Sequence, residues 1–227
     1  MMDKSKIEKY GDELYEALVN RKAVAPLTDR EADITIEDAY QIQQRMIQRR
    51  LDAGETIIGK KIGVTSKVVM DMLKVNQPDF GMMTSGMVFN EGEAIDTSTM
   101  IAPRAEAEVA FVLKSDLMGP GVTAADVLRA TDFVVPCFEI VDSRIQDWKI
   151  KIQDTVADNA SCGVLVLGGL RKSPRDIDLA LAGMVLEKNG ELISTSTGAA
   201  VQGSPVNAVA WLANTLGALG IGLKAGE

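Results

Sequence analysis

The chain has 227 residues, 46% apolar and 25% charged, the balance of an ordinary folded protein with enough length to bury a core, most simply as one domain. Its net charge is −8 and no cluster of Lys or Arg stands out, which argues against nucleic acid or an anionic membrane as a partner. Histidine is absent, so Ser-His-Asp and Cys-His machinery and imidazole metal sites are excluded; acid–base or metal chemistry must use carboxylates, lysine, hydroxyls and water.

The first residues, "MMDKSKIEKYGDELYEA", are too charged for a signal peptide, and no run of about 18 apolar residues exists, so the cytoplasm is the expected location. Residues 3–20 place Ile7, Tyr10, Leu14 and Leu18 on one helical face despite Gly11. A second helix follows in "TIEDAYQIQQRMIQRRLDAG", capped by Thr35 with Asp38 three residues on and ended by Gly54. These helices define a helical N-terminal region over 1–54, and 55–227 is expected to be a β-rich domain. There "TIIGKKIGV" reads as a strand, "TSKVVMDMLKV" as a helix started by Thr65 or Ser66, and "QPDFG" as a turn. "AEVAFVL" reads as a strand and "GVTAADVLRA" as a short helix capped by Thr123 with Asp126 in its first turn. "DFVVPCFEIVDS" and "CGVLVLGG" are strands, and "MVLEKNGELIST" is a hairpin turning at Asn189-Gly190. "SPVNAVAWLANTLGALG" is a helix with Ser204 as N-cap and Pro205 at its first position. Strands in the middle flanked by helices give α+β rather than regular βαβ alternation.

The polar residues that these elements carry are few. In "RAEAE", Glu106 and Glu108 fall two apart on a strand and so share a face, where two like charges repel and raise each other's pKa unless a cation sits between them. Glu139 sits within the apolar "VVPCFEIVDS". Together the three carboxylates would make an all-oxygen site suited to Mg²⁺ or Mn²⁺. The alternative is a solvated strand end for Glu106 and Glu108, with Glu139 paired to Arg104 or Arg144. Lys60 and Lys61 point to opposite faces, so one should turn inward, unless both are surface lysines; an inward lysine could bind a carboxylate substrate or move a proton. Asp79 in "QPDFG" is a candidate base or an ordinary turn former. The stretch "DTVADNASCG" is read on local grounds as a hydrogen-bonded loop, and Cys137 and Cys162 as small buried hydrophobes. No phosphate loop or dinucleotide fingerprint is present.

Taken together and in this order, "GKKIGVTSK", "QPDFG", "PRAEAEVAFVL", "CFEIVDSRIQDWKIKIQDTVADNASCG" and "GSPVNAVAWLAN" resemble the 2-hydroxypenta-2,4-dienoate hydratases of the fumarylacetoacetate hydrolase superfamily. The resemblance spans nearly the whole chain. It implies a mixed β-roll or distorted barrel with a helical N-terminal region, and hydration of a small 2-hydroxydienoate in aromatic meta-cleavage pathways. It further implies Mg²⁺ or Mn²⁺ held by Glu106, Glu108 and Glu139, acid–base roles for Lys61 and Asp79, and no organic cofactor. Substrate binding would fall to Thr65, Ser66, Asp158, Asn159 and Ser161. A homo-oligomer is implied, with association with the pathway decarboxylase possible in the family. The sister 4-oxalocrotonate (2-oxo-3-hexenedioate) decarboxylases share the carboxylate site but have an apolar residue at the position of Asp79, which favours the hydratase. Family members continue past "LKAGE" with further strands, so an incomplete or non-catalytic binding subunit is the second expectation.

Overall fold

The computed structural model describes residues 2–227. In chain order the elements are α1 (Lys4–Asn20), α2 (Leu27–Arg30), α3 (Ile36–Asp52), β1 (Ile57–Gly63), α4 (Lys67–Leu73), β2 (Asp79–Thr84) and β3 (Val88–Asn90). They continue with β4 (Pro103–Leu113), α5 (Ala124–Ala130), β5 (Thr131–Asp142), α6 (Ile152–Ala157) and β6 (Cys162–Leu167). The series ends with β7 (Gly183–Lys188), β8 (Glu191–Thr197) and α7 (Pro205–Ala218). Among the described residues the strands form the pair β1-β2, the sheet β3-β6-β5-β4 and the pair β7-β8, an α+β composition as expected. No described helix is long and apolar enough to cross a membrane.

Two compact units divide the chain, and β4 and β5 each run through both. The first holds residues 1–63, 79–106 and 139–166. Its core joins α1 and α3 (Ile7, Tyr10, Leu14, Ala39, Ile42, Met46) to Leu27, Ile145, Val156 and Ala157. α1 starts on Asp3, whose carboxylate accepts from Lys6 N, and α3 starts on a full capping box between Thr35 and Asp38. Gly11, which looked like a blemish in α1, is where the helices meet: a Cβ there would lie 2.5 Å from Arg45 Cβ and 2.9 Å from Ile42 O. Gly11→Ala should therefore force the pair apart and cost about 1–3 kcal/mol, read as a lowered melting temperature with the helical signal retained.

The second unit holds residues 64–78, 107–138 and 167–227. α5 packs on α7, and the Asn214 side chain clamps the loop before α5 by donating to Val122 O (2.9 Å) and accepting from Val122 N (2.8 Å). The β7-β8 hairpin turns at Asn189 and Gly190, both with positive φ, as the Asn-Gly pair dictates. Ser204 stands at the N-cap of α7 without a capping bond from its hydroxyl, and Pro205 takes the first helical position.

Two local expectations are corrected. "QPDFG" does not close a turn at Asp79; Asp79 opens β2, paired opposite Gly63 of β1, and is 2% exposed. "DTVADNASCG" is not one long loop: its first half is the end of α6, and its second half is a tight left-handed turn.

Candidate active site

β1 and β2 run antiparallel with Lys61 opposite Gly81 and Gly63 opposite Asp79, so Lys61 and Asp79 are diagonal neighbours on one face. Lys61 is the inward lysine. Its side chain is 10% exposed, and Nζ donates to Ala160 O at 2.9 Å and stands 3.2 Å from Glu139 Oε1. Glu139 therefore pairs with Lys61 rather than with Arg104 or Arg144. Arg104 lies over the Trp148 ring at 4.2 Å, and Arg144 belongs to another buried pair. Burial by itself would lower the Lys61 pKa, but Glu139 and then Asp79, Cys162 and Glu106 outweigh it and push the pKa up. Lys61 is thus held as an ammonium, a donor and a counter-charge rather than a base.

Asp79 is the opposite case. Burial raises its pKa, with Lys61 pulling the other way. The Gly63 amide donates to its carboxylate, while Oδ1 is buried without a hydrogen-bond partner. A Cβ on Gly63 would fall within van der Waals contact of Oδ1 and 3.3 Å from Lys61 Nζ. Gly63→Ala is expected to displace the carboxylate, cutting turnover while costing about 1–3 kcal/mol, as assayed by kinetics and melting of the same sample.

Glu106 keeps an exposed position on β4, yet enough protein surrounds its carboxyl to raise its pKa; desolvation leads, Glu139 adds, and Lys61 and Arg104 oppose. Glu108 is also exposed and falls in the second unit, as do Thr65 and Ser66; the Ser66 hydroxyl caps α4 by accepting from Val69 N at 3.3 Å. Among the described residues, no group of three or more acidic or cysteine side chains is arranged as a metal-binding cluster.

The turn after α6 explains how Ala160 meets Lys61. Asn159, Ala160 and Ser161 all have φ near +50° (55°, 51° and 52°), a conformation that costs non-glycine residues roughly 1–2 kcal/mol each. Surrounding bonds hold it. Asn159 accepts from Met82 N and donates to Met82 O, both at 2.8 Å, locking the turn to β2. The Ser161 hydroxyl meets that of Thr155 at 3.3 Å. Asp158 binds Arg144 at 2.5 Å with both side chains fully buried, and also accepts from Arg144 N at 2.9 Å. Arg144 in turn donates to the carbonyls of Asp142, Asp158 and Cys162. Asp158 and Asn159 thus spend their polar atoms on protein partners.

Sequence reasoning missed three contributors. Tyr40 of α3 stacks on Phe80 with centroids 4.3 Å apart; burial and then the Asp79 charge push its phenol pKa up, so it stays protonated. Cys162 is more than filler, since it is buried near the site; burial and then the Glu139 carboxylate push its pKa up to about 12. Gly63, two residues after Lys61 in "GKKIGV", gave the one readable hint, because a strand glycine marks close approach.

An ammonium, a buried aspartate whose pKa is raised and two glutamates gathered in one unit form a candidate site of the carboxylate type. The profile of the family described as fumarylacetoacetate (FAA) hydrolase C-terminal matches residues 60–227, and the chain belongs to that family. Within it the chain is similar to a 2-hydroxypent-2,4-dienoate hydratase of Pseudomonas putida, 66% identical over 97% of this chain and 100% of that one. It is also similar to a 2-hydroxyhexa-2,4-dienoate hydratase of Comamonas testosteroni, 59% identical over 100% of this chain and 87% of that one. A solved structure of 4-oxalocrotonate decarboxylase from Pseudomonas putida G7, complexed with magnesium and adipate, superposes with a TM-score of 0.96 at 34% identity, over 99% of this chain and 86% of that one.

Proposed function

We propose that the chain is a hydro-lyase that adds water to 2-hydroxypenta-2,4-dienoate, giving 4-hydroxy-2-oxopentanoate in the meta-cleavage degradation of aromatic compounds. The observation that carries this reading is the buried Asp79 beside Lys61 on facing strands, with Glu139 and Glu106 around them, in a chain 66% identical to a hydratase of such a dienoate.

The donor chemistry, carboxylates alone, suits a hard cation, Mg²⁺ or Mn²⁺. Glu139 Oε1 is buried without a hydrogen bond, the available ligands are carboxylates, and related decarboxylase structures are complexed with magnesium or calcium. Glu106, Glu108 and Glu139 would hold it. Once bound, such a cation supplies Lewis acidity toward the substrate's carboxylate and 2-oxygen and offsets the repulsion among the glutamates.

The rest falls to the chain's own side chains. Ketonisation takes the proton from the enol oxygen at C2 and places one on C5, leaving an α,β-unsaturated ketone. Water oxygen then bonds C4, and C3 takes a proton. The Lys61 ammonium balances negative charge on the substrate oxygens, and Asp79, which holds its proton more readily than an ordinary aspartate, moves protons between water and carbon. Thr65, Ser66 and Ser161 are assigned to substrate binding, and Asp158 and Asn159 serve it by fixing the turn that presents Ala160 and Ser161. We place the enzyme in the cytoplasm as a homo-oligomer, with the pathway decarboxylase as a candidate partner.

Metal-stripped protein mixed with fresh 2-hydroxypenta-2,4-dienoate should consume the diene only after Mg²⁺ or Mn²⁺ is added, with gain of one water by mass, and Glu106→Ala should abolish the metal-dependent rate. A folded protein that consumes no diene at any metal concentration overturns the reading. The decarboxylase reading rests on the TM-score of 0.96. It predicts loss of CO₂ from 2-oxo-3-hexenedioate, and none is expected.

A further inference from the structure

Gln43 lies on α3 between the apolar core residues Ala39, Ile42 and Met46 and is 1% exposed. A side-chain amide in such a place needs hydrogen bonds to offset the water it gives up. Its Nε2 donates to carbonyls of two other elements, Phe80 O and Val156 O, each at 2.9 Å. Phe80 follows Asp79 on β2, and Val156 lies in the last turn of α6, shortly before Ala160. One turn earlier on α3, Tyr40 stacks on the Phe80 ring, so α3 grips Phe80 by side chain and by backbone. Further along β2, Asn159 bonds both backbone groups of Met82, and a Cβ on Gly81 would lie 2.5 Å from Asn159 O. β2 and the chain leaving α6 are thus tied on both sides of Gly81, the residue opposite Lys61 in the β1-β2 register.

We propose that Gln43 is a positioning residue of the acid–base site: by bridging Phe80 O and Val156 O it fixes the strand that carries Asp79 against the turn whose Ala160 carbonyl holds Lys61. The Asn159 clamp acts at Met82, beyond Gly81, whereas Gln43 acts at the residue next to Asp79. Filling the core along α3 does not call for an amide, since Met46, one turn on, is 1% exposed and apolar. The proposal rests on the hydratase reading, in which Asp79 moves the proton and Lys61 balances the charge. Misplacing such a pair by about 1 Å can cost about 10²-fold in rate.

Gln43→Met keeps the length of the side chain and removes both donors. Hydration of 2-hydroxypenta-2,4-dienoate with Mg²⁺ present should show kcat lowered by about 10–100-fold with KM held within about threefold. Ile7→Ala, in the same core but on α1, is the control: its melting temperature should fall while kcat per folded molecule stays at the wild-type value. A folded Gln43→Met protein whose kcat falls no further than that of Ile7→Ala overturns the positioning role alone. Wild-type protein that hydrates no dienoate overturns the hydratase reading and this proposal with it. Should Gln43→Met not fold, Gln43→Glu decides. Its carboxyl keeps the shape and, when protonated, one donor, so kcat should fall at least about tenfold with KM held. Wild-type kcat in a folded Gln43→Glu protein overturns the proposal.

Discussion

Asp79→Asn is expected to lower kcat by about 10²–10⁴ while leaving the protein at least as stable as before. The amide keeps the shape of the side chain but can neither take nor give the proton. Stability should move the other way, because burial raises the Asp79 pKa and Oδ1 has no hydrogen bond. A carboxyl that binds its proton more tightly folded than unfolded makes the folded state lose stability as pH rises from the ordinary aspartate value through the raised one. Asparagine carries no such cost. The melting-temperature gain of Asp79→Asn over the natural protein should thus be absent in acid, grow across that window and level off above it. Activity and thermal melts across pH measure both halves, and an asparagine variant that is inactive because it is unfolded would refute the assignment. A buried carboxyl held at a cost to the folded state marks a candidate functional site.

Arg144→Met should be the most destabilising single change, costing about 3–5 kcal/mol. Arg144 and Asp158 are both fully buried, and the guanidinium also satisfies three backbone carbonyls. Removing it strands the Asp158 charge and those carbonyls together. Against a typical stability of about 5–15 kcal/mol, such a loss approaches the whole for a marginal domain. Asp158→Leu added to Arg144→Met should return part of it, since the stranded charge is then gone. Chemical denaturation of the two variants measures this, and a double variant no more stable than Arg144→Met would show that the carbonyls, not the charge, dominate.

These two predictions bear unequally on what the sequence discloses. Arg144 and Asp158 looked local and ordinary, an arginine after a strand and an aspartate in a polar loop. Their pairing at 2.5 Å joins positions 14 apart, and no spacing rule announces it. Asp79 was noticed but misplaced in a turn, because "QPDFG" carries strong turn chemistry and nothing local says that the chain enters a strand opposite Gly63. Lys61 was one of two lysines with equal local claims. Only the β1-β2 register, the Ala160 carbonyl and Glu139 select it.

What the sequence alone determined was whatever depends on short-range periodicity and capping. It placed α1, α3 with its Thr35 cap, the Thr123 cap of α5, the Asn189-Gly190 hairpin, the apolar strands, and the exclusion of histidine chemistry. Each is a decision taken within a few residues, where hydrogen bonds and side-chain sterics close locally. Tertiary structure alone decided which polar residues lose water and which partners they gain. It set Lys61 as a cation, Asp79 as a reluctant acid, Cys162 as a buried thiol, and a strained turn at 159–161 as the holder of Ala160. Those properties arise from desolvation and from charges brought within a few ångströms by strand pairing, and neither quantity exists until the chain has folded.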